Sequence, residues 1–228
     1  MFIGHYGPSF AAKRYELTIP LWILFIAVQL LDVLWGIFVI LGIERVRIVP
    51  GFTRTNALDL YYMPYTHSLP GALAWALVAG VAYFAVKRSK RGGLLIAAAV
   101  FSHWPLDLLV HRPDLPLYDN AAKAGLGLWD YPIATLIVEG ALVAGGLVLY
   151  VRNTRALTSA ARYAIPLFIC AALGIQATMA FGPAPPSDRA MAITALSSYA
   201  ILAGVIAWLE NGRSAEANKP RSPAPVSG

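Results

Sequence analysis

The sequence is poor in cysteine, in charge and in histidine, and each shortage excludes a class of protein. The single cysteine, Cys170, excludes an intrachain disulfide and a cysteine-rich metal site. Only 13% of the 228 residues are charged, too few to cover the surface of a soluble domain of this length. The chain contains only four histidines, so it cannot supply the many imidazole ligands of diiron membrane desaturases and hydroxylases.

Long apolar runs take the place of the missing polar surface. The sequence is 58% hydrophobic, with a mean hydropathy of +0.61. Continuous apolar runs of about 20 residues predict an all-α, polytopic helical membrane protein with about six transmembrane helices. We predict one helical transmembrane domain over 1–210 and a disordered tail over 211–228. The predicted spans are 20–41, 68–87, 93–111, 131–151, 163–181 and 189–209.

The net charge of +6 indicates orientation in a membrane, because the basic residues are spread over the loops between the spans. With both termini on the cytoplasmic side, 12 of the 18 lysines and arginines lie inside. This distribution predicts an N-in, C-in topology. It also makes the lipid bilayer the expected partner and does not predict a nucleic-acid partner; oligomeric state is left open.

Ionisable side chains interrupt three of the first four spans. Asp32, His103, Asp107 and Glu139 all lie within apolar runs. A charge at such depth costs roughly 2.5–3.5 kcal/mol on insertion scales, so it normally faces the bundle interior and has a partner. Counted from the span ends, Asp32, His103 and Glu139 lie ~12–14 Å below the outer face. We therefore predict a shared polar site within 1–151 and a scaffold role for the helices over 163–209.

Histidine and aspartate alternate along the third span. His103, Asp107 and His111 are four residues apart and form one stripe of a helix, and His67 opens the second span. Imidazole and carboxylate together are the ligands that zinc, manganese or iron accept. Taken alone, each residue also has a simpler interpretation: His103 as a packing residue, His111 as an interfacial residue and Glu139 as a paired buried acid.

Four short motifs give the chain a resemblance to a known family. They are Gly4-His5, Asp32 in QLLDVL, Thr66-His67-Ser68, and Ser102-His103 with Asp107. Their types and order resemble those of bacterial inner-membrane metal-dependent hydrolases, the group described as LexA-binding inner-membrane-associated hydrolases. The resemblance implies a bacterial inner-membrane location and a metal site that includes His5. It covers roughly the first 110 residues and does not include His111.

The sequence also departs from that family's pattern. Tyr62, Met63 and Pro64 stand where the family has His, Arg and Gly. The departures put a second metal, or a cationic clamp for an anionic substrate, in doubt. His5 poses a separate problem, because an N-in topology starts it on the wrong side of the membrane. It reaches the other ligands only if the first 12 residues fold back into the bundle as a re-entrant segment.

These observations favour a metal-dependent hydrolase with an intramembrane site near the outer face. His67, His103 and Asp107, with Asp32 or His5 and with His111 as a further candidate, would bind the metal. Glu139 or Asp32 would act as general base. The substrate would be lipid-like or membrane-delivered. Two alternatives remain open. One is a proton-coupled transporter or carrier that uses the same groups as a proton relay, and the other is a non-catalytic membrane protein whose helices are held together by a metal or ion-pair cluster.

Overall fold

The computed structural model describes residues 1–179 and 182–214, and most of them are helical. Two 3₁₀ turns, Ile3–His5 and Leu128–Asp130, accompany the main elements. The helices are α1 Tyr6–Ala12, α2 Leu21–Val28, α3 Leu30–Ile40, α4 Leu69–Lys87, α5 Lys90–Phe101, α6 His103–Val110, α7 Pro132–Asn153, α8 Ser159–Met179 and α9 Asp188–Glu210. The strands are β1 Arg45–Ile48, β2 Leu58–Tyr62, β3 Leu115–Tyr118, β4 Ala121–Ala124, β5 Arg155–Ala156 and β6 Arg213–Ser214.

The helical prediction is confirmed at the level of elements. Within the described ranges, five helical stretches are long and apolar enough to cross a membrane: α4, α5 together with α6, α7, α8 and α9. The first predicted span differs, because 20–41 is not one straight helix. It is the pair α2 and α3, bent by 56° at Gln29. Counted as one broken span, this pair brings the number to six.

The N-terminal segment folds back into the bundle. Nine of its first 12 residues are buried, and α1 packs along α7. The two helices approach closely at Gly7 and Gly146, where a Cβ on Gly146 would overlap the Gly7 carbonyl oxygen. Two glycines at one crossing allow this contact, as small residues commonly do between membrane helices. The segment that carries His5 therefore folds back into the helical bundle, as its contact with the other candidate ligands required.

The connecting segments form two groups at opposite ends of the bundle. At one end, the antiparallel hairpins β1–β2 and β3–β4 touch through Lys123, whose Nζ donates to the Tyr61 carbonyl. At the other end, β5 pairs with β6, and Lys13 forms a 2.7 Å ion pair with Glu210. An all-α prediction missed these short strands. The first four residues of the predicted tail, 211–214, include β6, and residues 215–228 lie outside the described residues.

Candidate metal centre

Four side chains converge where the broken span meets the starts of α4 and α6. Asp32, His67, His103 and Asp107 each offer one ligand atom, and these atoms all lie within 4.8 Å of one another. His103 Nε2 lies 3.1 Å from Asp107 Oδ2 and 3.5 Å from Asp32 Oδ1. His67 Nε2 lies 3.3 Å from the same Asp32 oxygen and 3.6 Å from Asp107 Oδ2. These four residues could hold a metal ion, as the sequence predicted.

The break between α2 and α3 fixes the orientation of His103. In an uninterrupted helix the Val28 carbonyl would accept a hydrogen bond from the Asp32 amide. Instead it accepts a 2.8 Å hydrogen bond from His103 Nδ1. A carbonyl only accepts, so Nδ1 carries a proton, and in the neutral ring Nε2 then has the lone pair. That Nε2 atom is buried and has no hydrogen-bond partner among the described residues, which fits a metal ligand.

His67 is oriented by its sequence neighbour and by a distant acid. Its Nδ1 lies 2.8 Å from Thr66 Oγ1, and the same hydroxyl donates a 2.6 Å hydrogen bond to Glu44 Oε2. Glu44 is only 1% exposed. It was not predicted from the sequence, because an acid between Ile43 and Arg45 in a predicted loop looks like a surface residue.

Asp32 divides its two oxygens between the cluster and α9. Its Oδ1 faces His67 and His103, whereas its Oδ2 accepts a 2.9 Å hydrogen bond from the Tyr199 hydroxyl. Tyr199 lies in the region predicted to be a scaffold, so the polar site is not confined to 1–151. No sequence signal pointed to this residue, because a tyrosine within an apolar run carries no formal charge.

His5 joins the cluster through the re-entrant segment. Its Nε2 lies 3.1 Å from Asp107 Oδ1, and its ring stacks on His103 with centroids 3.8 Å apart. The Met1 amino group lies 2.7 Å from the same Asp107 oxygen. Asp107 therefore faces His5 with one oxygen and the remaining histidines with the other. His5 lies outside the four-residue group but in direct contact with it.

His111 also lies closer to the site than an interfacial residue would. Its Nε2 is 3.5 Å from Asp107 Oδ2, and its Nδ1 bonds Asp114 at 2.8 Å. Burial disfavours the charged imidazolium, but the Asp107 and Asp114 carboxylates outweigh burial and raise the pKa of His111 above its ordinary value.

Glu139 anchors the re-entrant segment rather than joining the four-residue group. Its Oε2 accepts hydrogen bonds from the amides of Phe2 at 3.1 Å and Gly4 at 2.9 Å. On α8, Gln176 Oε1 accepts from the Ile3 amide at 3.0 Å. These bonds satisfy backbone groups at the start of a buried segment. Glu139 nevertheless lines the same cavity as Asp107.

A cavity of about 760 Å³ connects the cluster with the hairpin end of the bundle. Asp32, His67, Asp107 and His111 line one part of it. The 50–58 loop and residues 183–186 line another part, together with the ends of α8 and α9. Apolar side chains of the lining include Trp35, Leu60, Met63, Trp129, Leu136 and Met191. The volume is that of a small-molecule site.

Comparison of the chain with protein-family models, with curated proteins and with solved structures finds no match. The interpretation of the site therefore depends on its own geometry. That geometry establishes a His/Asp group that could hold a metal ion, within a bundle of apolar helices. The resemblance to inner-membrane hydrolases stays a prediction.

Proposed function

We propose that the protein is an integral-membrane metal-dependent hydrolase. The observation that carries the proposal is the buried Nε2 of His103, which makes no hydrogen bond to the described residues and lies between the carboxylates of Asp32 and Asp107, both of which line a large cavity. In the neutral ring, the Nδ1–H bond to the Val28 carbonyl leaves on Nε2 a lone pair that is suited to a metal.

Asp32, His67, His103 and Asp107 would hold the metal. Two imidazoles and two carboxylates suit zinc first, with manganese and iron as alternatives. A divalent metal, when bound, polarises a scissile group and lowers the pKa of a bound water toward ~7. We assign His5 and His111 to the surroundings of the metal, because each contacts Asp107 but lies outside the four-residue group.

The proton acceptor must come from a carboxylate at the cavity. Asp32 is the less suitable choice, because Oδ1 faces the histidines and Oδ2 is held by Tyr199. Glu139 lines the cavity outside the ligand group, and two backbone amides occupy its Oε2. Its Oε1 is therefore the better candidate for the general base.

The cavity supports a lipid-like or membrane-delivered substrate. Its lining is rich in apolar and aromatic side chains, while its carboxylates and histidines gather at the metal centre. Such a lining favours an apolar body with a hydrolysable head group, and an ester, amide or phosphoester would fit equally. In this proposal the protein spans a bacterial inner membrane with both termini inside.

The test is metal content and metal-dependent hydrolysis in gently purified protein. We expect stoichiometric metal in the wild type and its loss in His103→Ala and Asp107→Ala, with Asp188→Ala as the matched control. Asp188 is exposed at the start of α9, outside the cavity lining. Hydrolysis of lipid ester, amide or phosphoester substrates should disappear on chelation and return with one metal.

Two results would favour the alternatives. No bound metal in wild type would contradict the hydrolase and favour a proton relay through the same acids and histidines. Bound metal in wild type, without hydrolysis of any of the three bond types, would favour a structural cluster.

A further inference from the structure

The hydrogen bonds of Glu44 fix which neighbouring atom donates and which accepts, and a residue that only fills space would not need this. This buried carboxylate accepts three hydrogen bonds from one short stretch of chain. Its Oε1 accepts from the amides of Tyr65 at 2.8 Å and Thr66 at 3.0 Å. Its Oε2 accepts from the Thr66 hydroxyl, at 2.6 Å. Oε1 therefore binds the two backbone amides, whereas Oε2 binds the threonine hydroxyl.

The Thr66 hydroxyl has one hydrogen, which it donates in its hydrogen bond to Glu44. A carboxylate can only accept, so the threonine Oγ1 must donate to it. Toward His67 Nδ1, 2.8 Å away, the same oxygen can then only accept. This forces the His67 ring proton onto Nδ1 and leaves the Nε2 lone pair facing Asp32 and Asp107.

We infer that Glu44 is a positioning residue for the metal centre, acting on His67 through Thr66. The inference relies on the proposed metal site, and it adds a residue from outside the cluster that determines which His67 nitrogen is a ligand. Loss of such supporting hydrogen bonds typically weakens metal binding roughly 10- to 100-fold.

The substitution Glu44→Gln tests the direction of this chain of bonds with almost no change in shape. The glutamine Oε1 keeps both backbone amides, whereas its NH₂ group replaces Oε2 and becomes a donor to Thr66 Oγ1. The hydroxyl hydrogen must then turn to His67 Nδ1, and the ring proton moves to Nε2, the ligand atom. Glu16→Gln, at the opposite end of the bundle, is the matched control.

The first measurement is ¹⁵N NMR of histidine-labelled, metal-free protein at a pH where the ring is neutral. The four histidines allow assignment by single substitution. We expect the His67 proton on Nδ1 in wild type and in Glu16→Gln, and on Nε2 in Glu44→Gln. A wild-type proton on Nε2, or an unchanged tautomer in Glu44→Gln, would overturn the inference. This outcome does not depend on whether metal binds.

The second measurement is metal affinity by competition with a chromophoric chelator, using Zn²⁺. Glu44→Gln should bind about tenfold more weakly or worse. Thr66→Val should also weaken Zn²⁺ binding, whereas Thr66→Ser should bind as wild type does. In the Thr66→Val background, adding Glu44→Gln should weaken Zn²⁺ binding little further. Equal affinity of wild type and Glu44→Gln would overturn the inference while leaving the hydrolase intact. No binding by wild type would instead contradict the proposed function.

Discussion

The histidines of the candidate centre share one arrangement of their ring nitrogens. His67, His103 and His111 each direct Nε2 toward Asp107 Oδ2, at 3.1–3.6 Å. Each uses Nδ1 for a different supporting oxygen: a hydroxyl, a backbone carbonyl and a carboxylate. Metal-binding histidines commonly use such outer partners to fix their tautomer. For His67 and His103, the same outcome from two unrelated local structures is the strongest residue-scale support for a metal site.

Tyr199→Phe should weaken metal binding by about tenfold. The substitution removes the 2.9 Å hydrogen bond to Asp32 Oδ2 and leaves the ring in place. A hydrogen bond to a charged group contributes roughly 1.5–3 kcal/mol, and part of that is lost from the oriented ligand. Chelator competition measures the change, with Tyr163→Phe on the exposed face of α8 as control. Equal affinities for both variants would show that Tyr199 does not orient Asp32.

At the scale of elements, the candidate ligands lie at interruptions of the helices. Asp32 follows the break at Gln29, His67 precedes α4, and His103 follows Ser102, where α5 gives way to α6. Pro105 lies one turn beyond Phe101 and cannot donate to its carbonyl, so a continuous helix is weakened there. An interrupted helix leaves backbone carbonyls free and changes the direction of its side chains. At this centre the free Val28 carbonyl binds His103, and the changed directions bring the candidate ligands together.

The crossing of α1 and α7 should be essential for the position of His5. In Gly146→Ala the new methyl group would overlap the Gly7 carbonyl oxygen, whereas in Gly145→Ala it meets nothing within 4 Å. Overpacking of this kind costs roughly 1–3 kcal/mol. Hydrogen–deuterium exchange should therefore show faster exchange of residues 3–12 in Gly146→Ala only. Similar exchange in both variants would contradict the close packing of α1 on α7.

Glu139→Ala should loosen the start of the N-terminal segment, residues 1–12. It leaves the amides of Phe2 and Gly4 without their acceptor, at a cost of roughly 1–3 kcal/mol for each buried group. Thermal unfolding should move to lower temperature, and exchange of the first residues should accelerate. In Glu139→Gln the amide oxygen still accepts both bonds, so stability should be retained while hydrolysis falls. Full activity in Glu139→Gln would remove Glu139 as the general base.

At the scale of the whole molecule, the centre lies at the end of the bundle that carries the two hairpins. The cavity is lined by the 50–58 loop at that end, while Lys13, Glu210 and β5–β6 lie at the other. Helices long enough to cross a membrane separate the two ends. We therefore predict that substrate enters near the outer face.

Cysteine accessibility checks this orientation. In a Cys170→Ser background, Tyr118→Cys lies in the hairpin end and Leu157→Cys in the opposite end, and both positions are exposed. Of the helices long enough to cross a membrane, α7 alone separates the two positions in the chain. A membrane-impermeant maleimide should label the Tyr118→Cys variant in intact bacterial cells and the Leu157→Cys variant only after permeabilisation. Labelling of both variants from outside would contradict a transmembrane α7, and the reverse pattern would contradict the N-in topology.

The parts of this structure that local chemistry determines could be predicted from the sequence. Apolar runs predicted the helices, and the cost of burying charge predicted that Asp32, His103 and Asp107 would meet. The re-entrant segment was predicted only as a condition for His5, because nothing in residues 1–12 alone distinguishes it from a surface helix. Glu44 and Tyr199 were missed for a physical reason: their roles arise from contacts across 22 and 167 residues, which no local pattern records.

X-ray absorption at the metal edge of the reconstituted protein tests the central claim most directly. We predict one metal per chain with a first shell of nitrogen and oxygen. Outer-shell scattering should correspond to two imidazoles, from His67 and His103, and His103→Ala should give no metal-edge signal above background. A first shell without imidazole, or a spectrum unchanged in that variant, would contradict a metal centre built by Asp32, His67, His103 and Asp107.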